Sequence, residues 1–295
     1  MSAAVVTRRA HAKLNVFLRV LARRDDGFHD LETVVLPVSL HDVVTCEATD
    51  GPVEVRMDLH GATPHEPLDQ QENIVTVAAD RLAATVLSGD GRLSARVTVG
   101  KFIPFAAGLG GGSADAAATL LALNDLWGCG LAPDRLAEIA AEIGSDVPAM
   151  LAGEPVLAQG RGDRLIPVHT ATTWWVLRPF AFGVSAADAY AWWDDDPVTG
   201  HDPGVLIAAL ETGDVELLGH SLFNDLQPGV VARHPEVGEV VDAFLDAGAL
   251  GATMSGSGPT VAALARHFGH ADTLAAAVPG SVVVSGPPAP VGGVV

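Results

Sequence analysis

An α+β fold in two domains is the class that three features of the sequence predict. Period-two apolar alternation and helical apolar patterns recur along 295 residues, a length that suits two domains. Hydrophobic residues make up 48% and charged residues 18%, ample for buried cores and too sparsely charged for a disordered chain. The composition shifts after about Gly162, dividing the chain into 1–162 and 163–295, and the second part mixes helices with strands.

Bulk charge narrows the partners. With 17 Lys and Arg against 36 Asp and Glu the net charge is −19, which speaks against nucleic acid or an anionic membrane surface and leaves small molecules. A phosphate site remains compatible with that balance, because the field at a helix N-terminus is local. Cys46 and Cys129 are the only cysteines and lie far apart, which excludes a disulfide scaffold or a zinc site and fits a reducing cytoplasm. Residues 1–13 lack the apolar stretch of a secretion signal, and no run approaches the ~18 apolar residues of a membrane span. The 11 histidines show no helical i, i+4 pairing with a carboxylate, so no catalytic metal box is expected.

In chain order, residues 12–18 alternate as a strand does, Leu14, Val16 and Leu18 on one face and Lys13, Asn15 and Phe17 on the other. Lys13 and Asn15 pointing the same way fit either a solvated face or a pair of functional groups. Arg23-Arg24-Asp25-Asp26-Gly27-Phe28-His29 is a polar turn about Gly27. Strands are expected at 34–40, 43–47 and 53–59, the last with Val53, Val55, Met57 and Leu59 inward. Asn73 precedes a helix with Ile74, Val77, Ala78 and Leu82 on one face.

A β-branched segment, Val97-Thr98-Val99, then runs through Pro104-Phe105-Ala106-Ala107-Gly108-Leu109-Gly110-Gly111-Gly112-Ser113-Ala114 into an alanine- and leucine-rich helix ending near Trp127. Ser113 is the expected N-cap, and the free N–H groups of the first turn suit a phosphate. The upstream glycines allow close backbone approach and positive φ. The stretch is neither Gly-x-x-x-x-Gly-Lys-Ser/Thr nor Gly-x-Gly-x-x-Gly, since Ser113 stands where the last glycine of the latter belongs.

An amphipathic helix follows at 133–143, with Leu136, Ile139, Ala140 and Ile143 inward, and it stops at Gly144. Asp146, in the tight turn beyond, is either an N-cap or a catalytic base. The second part reads as a strand at 174–177, a helix at 185–193 before the acidic Asp194-Asp195-Asp196, and helices at 205–210 and 235–247. Residues 251–264 read strand, glycine turn, strand; a helix at 271–278, a strand at 282–285 and a frayed Pro- and Gly-rich tail at 286–295 complete the chain.

Three separated segments resemble one family. They are Ala12-Lys13-Leu14-Asn15 with Asp26-Gly27-Phe28-His29 and Leu31-Glu32-Thr33, then Pro104 to Ala118, then Met254 to Leu264. Gly144-Ser145-Asp146-Val147-Pro148 and Phe223-Asn224-Asp225-Leu226 fall between them in the expected order. The pattern is similar to the GHMP kinases, which include galactokinase, homoserine kinase and mevalonate kinase. The resemblance implies an N-terminal α/β domain with a mixed sheet, a ferredoxin-like C-terminal α+β domain, and an active site in the cleft between them.

It also implies ATP-dependent phosphorylation of a small alcohol in the cytoplasm, by a monomer or homodimer. Asp146 would take the hydroxyl proton, Lys13 would lower the hydroxyl pKa, and Asn15 would orient the acceptor. Pro104, Ala106, Ala107, Gly108, Leu109, Gly110, Gly111, Gly112, Ser113 and Ala114 would hold the ATP phosphates, with Asn73 and Lys101 near the nucleoside. Mg²⁺ would bridge the phosphates, Ser113 being its protein ligand. Ser255, Gly256, Ser257 and Gly258 would close a third glycine loop on the phosphates. The Asp-Gly-Phe-His motif implies an acceptor ending in cytidine, with Phe28 and Tyr190 stacking on the base and His29 reading its edge; Trp192 is the alternative to Tyr190. Phe28 stands where tyrosine is frequent, and Ala186-Ala187 where Thr-Pro is. Another acceptor alcohol, or a catalytically silent binding relative, would be the competing outcomes.

Overall fold

The computed structural model describes residues 4–60, 73–87 and 93–288 and is α+β. The chain runs β1 (Val5–Arg23), β2 (His29–Glu47), β3 (Glu54–Leu59), α1 (Ile74–Val86), β4 (Arg96–Lys101), α2 (Gly111–Leu126), α3 (Pro133–Ile143) and α4 (Val147–Ala152). It continues through β5 (Val156–Gly160), β6 (Arg164–Pro167), β7 (Thr173–Arg178), α5 (Ala186–Asp195), α6 (Gly204–Thr212), α7 (Val215–His220) and β8 (Phe223–Asn224). Last come α8 (Gln227–Val231), α9 (Pro235–Asp246), β9 (Gly251–Met254), β10 (Val261–Ala265), α10 (Phe268–Ala277) and β11 (Val282–Gly286).

Two compact units form, each from three stretches of chain. Met1–Ala12, Leu40–Phe105 and Gly110–Gly153 make the first, and Lys13–Ser39, Ala106–Leu109 and Glu154–Val295 the second. They interleave because β1 and β2 each start in one unit and finish in the other. The strands expected at 34–40 and 43–47 are therefore one strand. The polar His41-Asp42 pair does not break it, because the Asp42 carboxylate is satisfied by backbone N–H groups, that of Ile103 at 2.8 Å among them.

In the first unit β3 lies parallel to β4, and β4 pairs antiparallel with the end of β2, from Val43 opposite Gly100 to Glu47 opposite Arg96. Val44, Cys46, Val97 and Val99 face Val75, Leu82, Leu120, Leu123, Leu136 and Ile139 of the helices in one core. Helix α2 is buried on nearly every side; its alanines allow neighbours to approach closely. In α1 the buried face is Val75, Ala78, Ala79 and Leu82, and Val77 is only partly covered. Ile143 is likewise half-buried. Leu59, expected inward, is 47% exposed, as the last residue of β3.

In the second unit β5 pairs antiparallel with β2 and with β6, while β8 runs parallel to β1 with Phe223 opposite Phe17. A second sheet, ordered β11-β7-β10-β9 and wholly antiparallel, has the order and crossovers of a ferredoxin-like βαββαβ fold. Val176, Val261 and Ala263 of that sheet pack on Val237, Val241 and Phe244 of α9 and on Ala271 and Leu274 of α10. Gly286 belongs to β11 rather than to a frayed tail, and residues 289–295 of that tail lie outside the described residues.

Candidate active site

Lys13 and Asn15 are each 4% exposed, so the solvated face that the alternation left open is excluded. In the second unit the Lys13 ammonium donates to Asn15 Oδ1 and, at 2.9 Å, to the carbonyl of Gly108; Lys13 N–H donates to Leu109 O at 3.0 Å. Asn15 Nδ2 donates to Thr33 Oγ1 at 2.7 Å, and Asn15 N–H donates to Ser255 Oγ at 3.1 Å. Ser255 Oγ in turn donates to Gly108 O at 3.0 Å. The ammonium is thus fixed by dipoles in a water-poor setting, where its field on a nearby anion is strong.

Two glycines make this approach possible. Gly108 has φ +75°, and a Cβ there would fall 2.1 Å from Ser255 O and 2.9 Å from Gly258 N. At Gly256, φ +58°, a Cβ would meet Asn15 Oδ1 at 2.8 Å and Lys13 Nζ at 2.9 Å. Gly108→Ala is expected to cost about 2–5 kcal/mol by combining left-handed strain with overpacking against backbone, read as a drop in the urea midpoint at unchanged slope.

Helix α2 in the first unit starts earlier than the sequence implies. Its N-cap is Gly110, at φ 67°, without a side-chain cap, and Ser113 is the third helical residue rather than the N-cap. Gly110 offers the needed left-handed backbone at no steric cost, which serine would not. The N-cap contributes no side-chain hydrogen bond to the N–H groups of the first turn, an arrangement that suits an anion.

Beneath this turn lies a charge cluster that sequence reading missed. Along β4 alternation buries Val97, Val99 and then Lys101 on the core side, and along β2 it buries Asp42, Val44 and Cys46. Lys101 Nζ pairs with Asp42 and, at 2.7 Å, with Asp115 Oδ2 of α2, all three groups almost wholly buried. Burial pushes the Asp115 carboxyl up to about 7, against the opposing pull of Lys101, and Asp42 pushes it further the same way. Asn73 caps α1, its Oδ1 accepting from Val75 N–H at 2.9 Å.

Asp146 is exposed and stands at the N-cap of α4, yet its side chain makes no capping hydrogen bond. The capping role that the sequence left open is therefore not met by the side chain.

The turn at Gly27 places Phe28 outward, 48% exposed, with the Arg161 guanidinium 3.7 Å from its ring centroid. His29 stacks on Tyr190 at 4.8 Å and 20°, and its Nε2 lies 2.8 Å from Asp194 Oδ1. A carboxylate only accepts, so Nε2 carries the hydrogen. Trp192 sits instead against Arg233 and His234, so of these two aromatics Tyr190 is the one beside His29, whose ring also meets the edge of Trp193 at 5.7 Å. No group of three His, Cys, Asp or Glu side chains able to hold a metal occurs among the described residues.

Models of known families match two stretches: "GHMP kinases N terminal domain" over residues 73–154 and "GHMP kinases C terminal" over 206–283, together more than half of the chain. The 4-diphosphocytidyl-2-C-methyl-D-erythritol kinase of Kineococcus radiotolerans is 44% identical, over 92% of this chain and 85% of its own. The chain belongs to the GHMP kinase family. The same-named kinase of Thermobifida fusca is 42% identical to this GHMP kinase over 92% of it and 91% of the relative. A crystal structure of 4-(cytidine 5'-diphospho)-2C-methyl-D-erythritol kinase superposes with TM-score 0.79 at 30% identity, covering 95% of this GHMP kinase and 99% of that chain. An L. major mevalonate kinase in complex with R-mevalonate matches at TM-score 0.74 and 18% identity, which shows a common fold alone.

GHMP kinases use ATP as phosphate donor. Of the residues assigned from the sequence, Lys13, Asn15, Gly108, Ser255 and Gly256 come together in the second unit of this GHMP kinase. Asp146, Lys101, Asn73 and the start of α2 belong to the first. Thr33, Asp42, Asp115, Asp194 and Asn224 were given no role from the sequence; Thr33, Asp115 and Asn224 lie within the motifs that resemble the family, whereas Asp42 and Asp194 do not.

Proposed function

We propose that this kinase transfers the γ-phosphoryl of ATP to the 2-hydroxyl of 4-diphosphocytidyl-2-C-methyl-D-erythritol, giving the 2-phosphate and ADP, as a step toward isoprenoid precursors. The hydroxyl oxygen bonds to the γ-phosphorus, the bond to the β-bridging oxygen breaks, and the hydroxyl proton passes to the Asp146 carboxylate. Lys13 stabilises charge developing on the acceptor oxygen, and Asn15 orients the acceptor. The uncapped first turn of α2, Gly111 to Ala114, with the loop from Pro104 to Gly110, binds the phosphates, and Asn73 borders the nucleoside; Lys101, buried between Asp42 and Asp115, supports the start of α2 instead. The third loop, Ser255 to Gly258, closes on the phosphates.

Mg²⁺ fits this reading through phosphate oxygens, with Ser113 Oγ, half-buried in the first turn of α2, as the ligand this chain offers. When bound, it neutralises phosphate charge as transfer proceeds.

At the other end, Phe28 and Tyr190 supply faces for cytosine. With Nε2–H of His29 directed at Asp194, Nδ1 of the neutral ring can accept, which suits the cytosine amino group.

One observation carries the phosphotransfer reading: a buried ammonium, that of Lys13, held by a glycine-loop carbonyl and Asn15. The acceptor's identity rests on the relatives' name. The test is ADP release and phosphorus NMR of the product with ATP, Mg²⁺ and one of three acceptors: the cytidyl diphosphate methylerythritol, homoserine or mevalonate. Turnover is expected with the first alone; turnover of either other compound with none of the first would overturn the assignment.

A further inference from the structure

The Phe223-Asn224-Asp225-Leu226 motif has no role in the reaction as derived so far. Its strand, β8, is two residues long and lies parallel to β1, with Leu18 opposite Asn224. Asp225 closes that ladder: its N–H donates to Leu18 O at 3.0 Å, and its Oδ2 accepts from Val20 N–H at 2.8 Å and Gly200 N–H at 3.1 Å.

Asn224 does something different. It is 5% exposed, and its Nδ2 donates to Met254 O at 2.7 Å and to Gly256 O at 2.8 Å, while its Oδ1 accepts from Leu226 N–H at 2.9 Å. Two carbonyl oxygens require two donors and the N–H requires an acceptor. A carboxamide of this length is the side chain that meets all three demands. One carbonyl ends β9, where the third loop begins, and the other lies in that loop, whose Gly256 leaves no room for a Cβ beside Lys13 Nζ and Asn15 Oδ1. Ser255 of the same loop receives Asn15 N–H and donates to Gly108 O, the carbonyl that also receives Lys13. The loop is therefore held from one side by β1 and from the other by Asn224.

We propose that Asn224 is a positioning residue for phosphotransfer: it fixes the third glycine loop against Lys13 and so sets where the Lys13 ammonium stands. This rests on the kinase reading of Lys13. Asn224→Asp puts a negative oxygen against two carbonyls, and Asn224→Ser keeps at most one of the donors; both free the loop from that side without touching substrate groups.

Lys13 and Lys101 are the only lysines in the sequence, so their rates of reductive methylation can be followed separately by peptide mass spectrometry. Val237→Ala, in the core of the same unit, controls for lost stability. Well below each variant's melting temperature, kcat in both Asn224 variants is expected to fall about 10–100-fold with KM for ATP within about threefold. Lys13 should methylate several-fold faster, with Lys101 unchanged, and Val237→Ala should alter neither kcat nor the Lys13 rate. An unchanged kcat or an unchanged Lys13 rate in the Asn224 variants overturns the proposal. If the wild-type protein fails to phosphorylate the acceptor, the functional reading falls, and the Lys13 rate then decides the positioning claim by itself.

Discussion

Asp146→Asn is expected to lower kcat about 10²–10⁴-fold, the usual worth of a positioned general base, with KM for ATP held within about threefold. The amide keeps the size of the carboxyl and loses its capacity to take the hydroxyl proton. Because the Asp146 side chain does not cap α4, the substitution should leave the melting temperature within a degree or two of wild type. Steady-state kinetics with ATP varied at saturating acceptor, beside a thermal melt, checks both halves. A capping residue would give the opposite pair of results, a lowered melting temperature with turnover intact.

Lys101→Met is the change with the largest expected effect on stability. It removes the cation from between two buried carboxylates, a loss of about 3–5 kcal/mol, or a fall in melting temperature on the order of 10 °C. The deficit should depend on pH. The Asp115 carboxyl stands at about 7 in the folded chain against an ordinary 3.8, so the folded state holds this proton more tightly than the unfolded one. Its contribution is full below about pH 4 and is lost as pH rises through about 7. Lys101 draws that value down; without it the carboxyl rises further, and the penalty for ionising it reaches higher pH. Melts at pH 5 and pH 8 should therefore show the larger deficit at pH 8, and adding Asp115→Asn should recover part of it there. Equal deficits at the two pH values would contradict the assignment of the proton to Asp115.

Local signals were the ones that could be read from the sequence. Alternation at 12–18 located β1, the helix at 133–143 has the predicted ends, and the strand, turn and strand of 251–264 are β9 and β10. The glycine stretch announced the start of α2 but misplaced its cap, because Ser113 has the better side chain while only the backbone of Gly110 fits the bend. Short strands β5 and β6 went unseen; five and four residues give little periodicity to detect. Partnerships were opaque for a different reason. Lys101 meets a residue 59 positions before it and another 14 after it, and nothing in the local pattern ties these three together. Burial of Lys13 was equally hidden, since a charge on an alternating strand looks the same whether it faces water or a loop carbonyl and an amide oxygen.

Interleaving has a consequence for biosynthesis. The backbone N–H of Asn15 waits for the hydroxyl of Ser255, 240 residues later in the chain. At about 5–20 residues per second on the ribosome, that interval is roughly 12–48 s. Throughout it the nascent polypeptide carries the later half of β1 without the third loop, and for most of it without β8, since both follow β1 far along the chain. The first unit, whose last residue is Gly153, can be complete well before then. Translation thus separates the two by time, and a chaperone that shields exposed strand would act on residues 13–39 of the growing chain.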